Sequence, residues 1–154
     1  MKFPQVAGKD LNGVSHIIPE KLEGKLNFLV VAFQQWQVRP IETWVPFLQT
    51  LVTEHPQIQF YELPTLRKFN VLSQWIIDSG MRGGIHDKVM RARTITLYID
   101  KSEFTKALDI PTEDTIYLFL VDCDGNILWR DTGVFSEEKE TAVLNAISKF
   151  EDES

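Results

Sequence analysis

The run Leu26 to Phe33 (LNFLVVAF) constrains this chain more than any other feature. It is apolar almost throughout, rich in β-forming residues, and far too short to span a bilayer. Such a run reads as a central strand covered on both faces, which calls for a sheet with helices packed over it. The neighbouring segments agree. Gly8 to Gly13 carries a turn signal, and Val14, His16 and Ile18 alternate as a short strand. Pro19 to Lys25 is a polar connector.

After the central run, a helix is expected to begin near Pro40, since proline suits the first helical position. Ile41, Trp44, Leu48 and Leu51 recur at helical spacing beside Phe47, and His55-Pro56 ends the element. Ile58 to Tyr61 reads as a second core strand closed by Pro64. Asn70 then caps a second helix that ends at Gly80. Thr94 to Ile99 alternates as a third strand, and Ser102 to Leu108 forms a short helix. Ile116 to Val121 and Ile127 to Arg130 are strands joined by Asp122-Cys123-Asp124-Gly125-Asn126, where Asp-Gly is a strong hairpin signal. Ser136 caps a final helix whose first turn holds Glu137, Glu138 and Glu140. The order predicts an α/β chain: a mixed sheet flanked by helices on both faces. Parallel strands come from the strand-helix-strand start and antiparallel ones from the hairpin.

The 154 residues fit a single domain, 1–154, with 44% hydrophobic and 25% charged residues, ordinary for a globular protein. The net charge of −6 argues against general nucleic-acid binding, which needs a basic face for phosphates. No apolar signal-peptide core follows Met1, and one cysteine makes no internal disulfide, so the chain reads as cytoplasmic. His16, His55 and His86 are scattered without ligand spacing, so no metal is expected, and no motif calls for a cofactor. Trp44, Trp75 and Trp129 lie on apolar patterns and are expected in the core.

Several features together resemble the thioredoxin-like superfamily, in its branch of peroxiredoxins and membrane-tethered bacterial thiol reductases. They are the connector Leu22-Glu23-Gly24-Lys25, the strand ending Ala32-Phe33 with Trp36 nearby, the stretch Phe119 to Trp129, and Gly133 before the last helix. A fainter likeness is to the mitochondrial ATP-synthase assembly factors, through the general layout and Gly80-Met81-Arg82 before a basic stretch. The superfamily resemblance implies a Cys-x-x-Cys or a peroxidatic cysteine around Gln37 to Pro40, and a cis-proline before the third core strand. This chain has neither: the turn reads Phe33-Gln34-Gln35-Trp36-Gln37-Val38-Arg39-Pro40, and Arg93-Thr94 stands at the proline position. Thiol-disulfide exchange needs a thiolate at the point of attack, so redox activity is expected to be absent.

Two candidate sites remain. The turn after the central strand offers Gln34, Gln35, Trp36, Gln37 and Arg39 at a strand's carboxyl end, where this class of fold binds ligands. Residues 65–93 hold six cations, Arg82, Arg91 and Arg93 among them, against Asp78 and Asp87; that leaves the segment at +4 and the remainder at −10. Both suit an acidic or anionic ligand. Cys123, flanked by Asp122 and Asp124, reads as an inert thiol in a turn. The leading expectation is a redox-inactive thioredoxin-like protein with a binding, adaptor or assembly role, taking a protein partner or a small anion. The alternative is an oxidoreductase that depends on a bound thiol cofactor or on Cys123.

Overall fold

The computed structural model describes residues 1–65, 91–97 and 99–153. Strands β1 (Val6–Asp10) and β2 (Ser15–Ile18) form a hairpin, and β3 (Leu26–Ala32) is the apolar run. A 3-10 turn, Gln35–Gln37, leads into α1 (Val38–Glu42) and α2 (Val45–Glu54). Then come β4 (Ile58–Pro64), β5 (Ile95–Leu97), α3 (Lys101–Ala107), β6 (Tyr117–Asp122), β7 (Ile127–Thr132) and α4 (Glu137–Glu153). The expected helix from Asn70 to Gly80, with Trp75, lies outside the described residues.

β3 is buried along its whole length. It pairs parallel with β4, from Leu26 opposite Ile58 to Ala32 opposite Pro64. On its other side it pairs antiparallel with β6, which in turn pairs antiparallel with β7. The order β4-β3-β6-β7 is one sheet; β2-β1-β5 is a second. Among the described residues, two isolated parallel bridges join them, Glu62 with Thr94 and Thr65 with Leu97.

Because successive side chains of a strand point to opposite faces, β3 feeds two cores. Leu26, Phe28 and Val30 pack with Trp44, Leu48 and Leu51 of the α1–α2 layer and with Val143 and Ile147 of α4. Leu29, Val31 and Phe33 pack on the other face with Phe3, Ile95, Leu97 and Phe104 of α3. The fold is therefore the expected mixed sheet with helices on both faces. Trp44 is fully buried, and Trp129 is partly buried against the same cluster.

Three boundaries differ from the sequence expectation. The single helix from Pro40 is divided into α1 and α2, because Pro46 has no N–H to continue the ladder and the chain tightens at Thr43 and Trp44, whose N–H groups donate to Pro40 and Ile41. Gly8 to Gly13 is only a turn at its end; Val6–Asp10 is a strand between β2 and β5. Gly8 permits that placement, since a Cβ there would stand 2.6 Å from the Thr96 carbonyl oxygen. The third strand is also shorter than Thr94 to Ile99, covering Ile95–Leu97.

Asp10 closes the β1–β2 hairpin. Its carboxylate accepts from the N–H groups of Asn12 and Val14, both at 2.9 Å, and meets His16 Nε2 at 2.8 Å. Burial pushes its pKa up, but the His16 contact and the two N–H groups outweigh that and hold it below the ordinary 3.8. The stabilisation is complete above that value and fades as pH falls below it. Asp10→Ala is expected to weaken the protein near neutrality and to flatten its acid unfolding curve, followed by circular dichroism.

β7 lies at the outer side of its sheet, and outward backbone groups at its two ends are occupied. Ile127 N–H donates to the Met1 carbonyl, and Phe3 N–H donates to that of Gly125. Farther along, Thr132 N–H donates to Asp131 Oδ1 at 2.7 Å, and Lys139 Nζ donates to the Thr132 carbonyl at 2.6 Å.

Candidate functional site

The turn after β3 is built around one side chain. Gln37 is fully buried, and its Oε1 accepts from the N–H groups of Phe33 at 2.8 Å and Gln34 at 3.1 Å. Its Nε2 donates to the Glu113 carbonyl at 2.7 Å. Gln37 thus satisfies two backbone donors left free where the strand ends, and ties the turn to the loop before β6. These bonds turn its polar atoms towards its own chain rather than a ligand.

Lys101 and Glu113 support the same place. Lys101 Nζ lies 3.0 Å from Glu113 Oε1 and 5.7 Å from the Phe33 ring centroid, with the lysine side chain 9% exposed. A cation so covered needs its carboxylate partner. Sequence reasoning missed this pair: the two residues stand 12 apart with no helical or strand spacing between them and share no motif, so only the packing of α3 beside Phe33 reveals them.

Trp36 is presented outward, 57% exposed. Arg39 is exposed, while Gln34 and Gln35 are half-buried. β7 runs antiparallel to β6, and β6 antiparallel to β3, so β7 ends at the same edge as the turn. The loop after it packs on the start of α2: Phe135 N–H donates to Thr43 Oγ1 at 3.0 Å, and Trp44 Nε1–H donates to the Gly133 carbonyl at 2.9 Å. That loop exposes Val134 by 53%. The sheet therefore carries two exposed apolar side chains, Trp36 and Val134, at one end, with Arg39 on the following helix.

Of the basic candidates in residues 65–93, Arg91 and Arg93 are described. Arg82 lies outside the described residues. Arg93 Nη1–H donates to the Phe60 carbonyl at 3.1 Å, and its guanidinium carbon stands 4.5 Å from the centroid of the Phe60 ring. Burial lowers its pKa, against the favourable charges of Tyr61 and Glu23. The side chain thus runs back along β4, away from the turn that Gln37 builds. Arg91 is half-buried, its Nε without a hydrogen-bond partner, and its carbonyl accepts from the N–H groups of Leu11 and Thr94.

Cys123 is exposed, its thiol 3.6 Å from the carbonyl oxygens of Gly24 and Lys25. Those residues precede β3, whereas the turn follows it. Seven strand residues at about 3.3 Å each separate the two ends by roughly 20 Å. Among the described residues, no group of three or more His, Cys, Asp or Glu side chains is placed to hold a metal ion, and no helix is long and apolar enough to cross a membrane.

Comparison with known proteins agrees with this architecture. A thioredoxin domain of a thiol-disulfide oxidoreductase from Bacteroides vulgatus superposes with a TM-score of 0.65 at 18% identity, covering 97% of this chain and 95% of that one. A thiol:disulfide interchange protein DsbE from Chlorobium tepidum gives 0.63 at 16% identity, covering 94% of each chain. BsSco, of the Sco family of cytochrome c oxidase assembly proteins, gives 0.64 at 13% identity, covering 96% of this chain and 92% of that one. At such identities the likeness concerns the fold, which is thioredoxin-like, while this chain has a single cysteine and no Cys-x-x-Cys. No curated protein matches it. The family described as ATP10 protein matches residues 1–149, nearly the whole chain, in keeping with the likeness to ATP-synthase assembly factors, and the chain therefore belongs to that family.

Proposed function

We propose that this protein is a redox-inactive assembly factor that holds a protein partner through the turn after β3. The observation that carries the reading is Trp36: a large apolar side chain kept outward on a turn locked from beneath by Gln37, at the place where the superfamily resemblance implies a reactive cysteine. An exposed aromatic on a rigid support is a typical anchor for a protein surface, because little conformational freedom is lost on binding. Val134 is a second exposed apolar side chain at the same sheet end, and Arg39 is an exposed cation on the helix that follows the turn. Among the candidate partners a protein is favoured over a small anion, because Arg93 is engaged by Phe60 of its own chain. ATP10 family membership makes a component of the ATP synthase under construction the first partner to test.

Two variants test the reading in cells where each replaces the native chain. Trp36→Ala is expected to reduce assembled ATP synthase on native gels by tenfold or more, while the purified variant melts within a degree or two of the parent, because the side chain is mostly exposed. Cys123→Ser is expected to leave assembly unchanged. An intact complex with Trp36→Ala removes the turn from the reading. Loss of assembly with Cys123→Ser, rescued by an added thiol, favours the oxidoreductase alternative.

A further inference from the structure

Glu62 is an acidic residue in a place built for apolar ones. On β4 it shares a face with Ile58 and Phe60, which pack into the α1–α2 core. It is opposite Val30 of β3, and its backbone N–H donates to the Arg93 carbonyl at 2.8 Å. It therefore lies on one of the two bridges that hold the β2-β1-β5 sheet to the β4-β3-β6-β7 sheet. From α1 the facing group is Glu42, a like charge; from the strand across the bridge it is the Thr94 hydroxyl. Among the described residues, the cations near it are not paired with it: Arg93 turns to Phe60, and no ion pair joins Arg91 or Arg93 to Glu62. Two residues along, on the Thr94 face, the Thr96 hydroxyl is buried without a hydrogen-bond partner among the described residues.

We propose that the junction between the two sheets is a proton-controlled latch, closed when the Glu62 carboxyl is protonated and loosened when it ionises. A neutral carboxyl suffers no repulsion from Glu42 and has no charge to desolvate, which outweighs the hydrogen bond by which the Thr94 side chain favours the carboxylate. A carboxylate there faces a like charge and has lost part of its hydration. The electrostatics fit the geometry: burial, then Glu42, pushes the Glu62 pKa up from 4.5 to about 7, against the opposing Thr94 hydrogen bond, although the residue is not wholly shut off from solvent. In an opened junction the carboxyl regains water and its ordinary value. The sign follows: opening is disfavoured at low pH, grows as pH rises from about 4.5 to about 7, and levels off above. Loosening frees the Arg91–Thr94 turn from β4, and this inference stands apart from the partner reading of Trp36.

The test is hydrogen exchange with carboxyl NMR on the full chain. Expected is a Glu62 carboxyl midpoint near neutrality. Protection of the Glu62 N–H, corrected for intrinsic exchange, should fall at least tenfold between pH 5 and pH 7.5, while core amides of β3 stay level. Glu62→Gln, similar in shape and always neutral, should abolish that fall, and Glu42→Gln should lower the Glu62 midpoint. A midpoint at the ordinary glutamate value overturns the proposal. So does a Glu62→Gln protein with the parent's pH dependence. The wild-type titration decides even if a variant misfolds.

Discussion

Trp44→Ala is expected to cost about 3–5 kcal/mol of folding stability, the range for deleting a large buried aromatic. Trp44 is 0% exposed, and its ring centroid lies 5.4 Å from that of Phe28, 6.1 Å from Trp129 and 5.3 Å from Phe135. It joins β3, β7, α2 and the loop before α4, so no single element can collapse into the space it leaves. Its indole N–H also donates to the Gly133 carbonyl, which loses that partner. Urea unfolding followed by fluorescence of the remaining tryptophans measures the loss. Trp44→Phe should recover most of the packing but not the hydrogen bond, leaving about 1–2 kcal/mol uncorrected. A Trp44→Ala protein within 1 kcal/mol of the parent would mean that the junction of these elements is not packed as described.

Gln37→Ala is the second large effect, expected at about 2–3 kcal/mol, because the change strands the buried N–H of Phe33 and removes the partner of the half-buried Gln34 N–H and Glu113 carbonyl. The consequence reaches function as well. Without the amide the turn is expected to hold Trp36 less firmly, so the partner binding proposed for it should fall even under conditions where the variant is folded. Gln37→Glu separates the two roles of the amide: the carboxylate still accepts from both N–H groups but cannot donate to Glu113. Its expected stability lies between the parent and the alanine variant. Equal stability for the glutamate and alanine variants would show that the link to Glu113, not the backbone donors, is what matters.

These two residues also mark what was legible in the sequence. Trp44 was visible as core because helical periodicity places it with Ile41, Leu48 and Leu51, and such a pattern is local. β3 was visible for the same reason, as were the hairpin through Gly125 and the Ser136 cap, whose Oγ accepts from Lys139 N–H. Gln37 stood among the candidate ligand residues because a polar side chain in a turn looks free. Its partners include a carbonyl 76 residues away, which no local pattern encodes. β1 was hidden because Val6–Asp10 has only one large apolar residue; its strand state is imposed by β2 and β5 on either side. The division of α1 from α2 was encoded in Pro46, but the continuous apolar spacing across it masked the break. Glu62 gave one faint sign, an acid on the strand face that also carries Ile58 and Phe60, whose meaning depends on Glu42 arriving from another element.

The way β7 ends its sheet has a bearing on how such a protein can work. Strands of unfinished polypeptides seek bare backbone along a sheet margin, and a margin that offers it becomes a seed for fibrils. Here the margin is sealed at one end by the stretch Met1 to Phe3 and at the other by Asp131 and Lys139. The bare stretch left between these two ends is short, which limits how far another strand could pair along it.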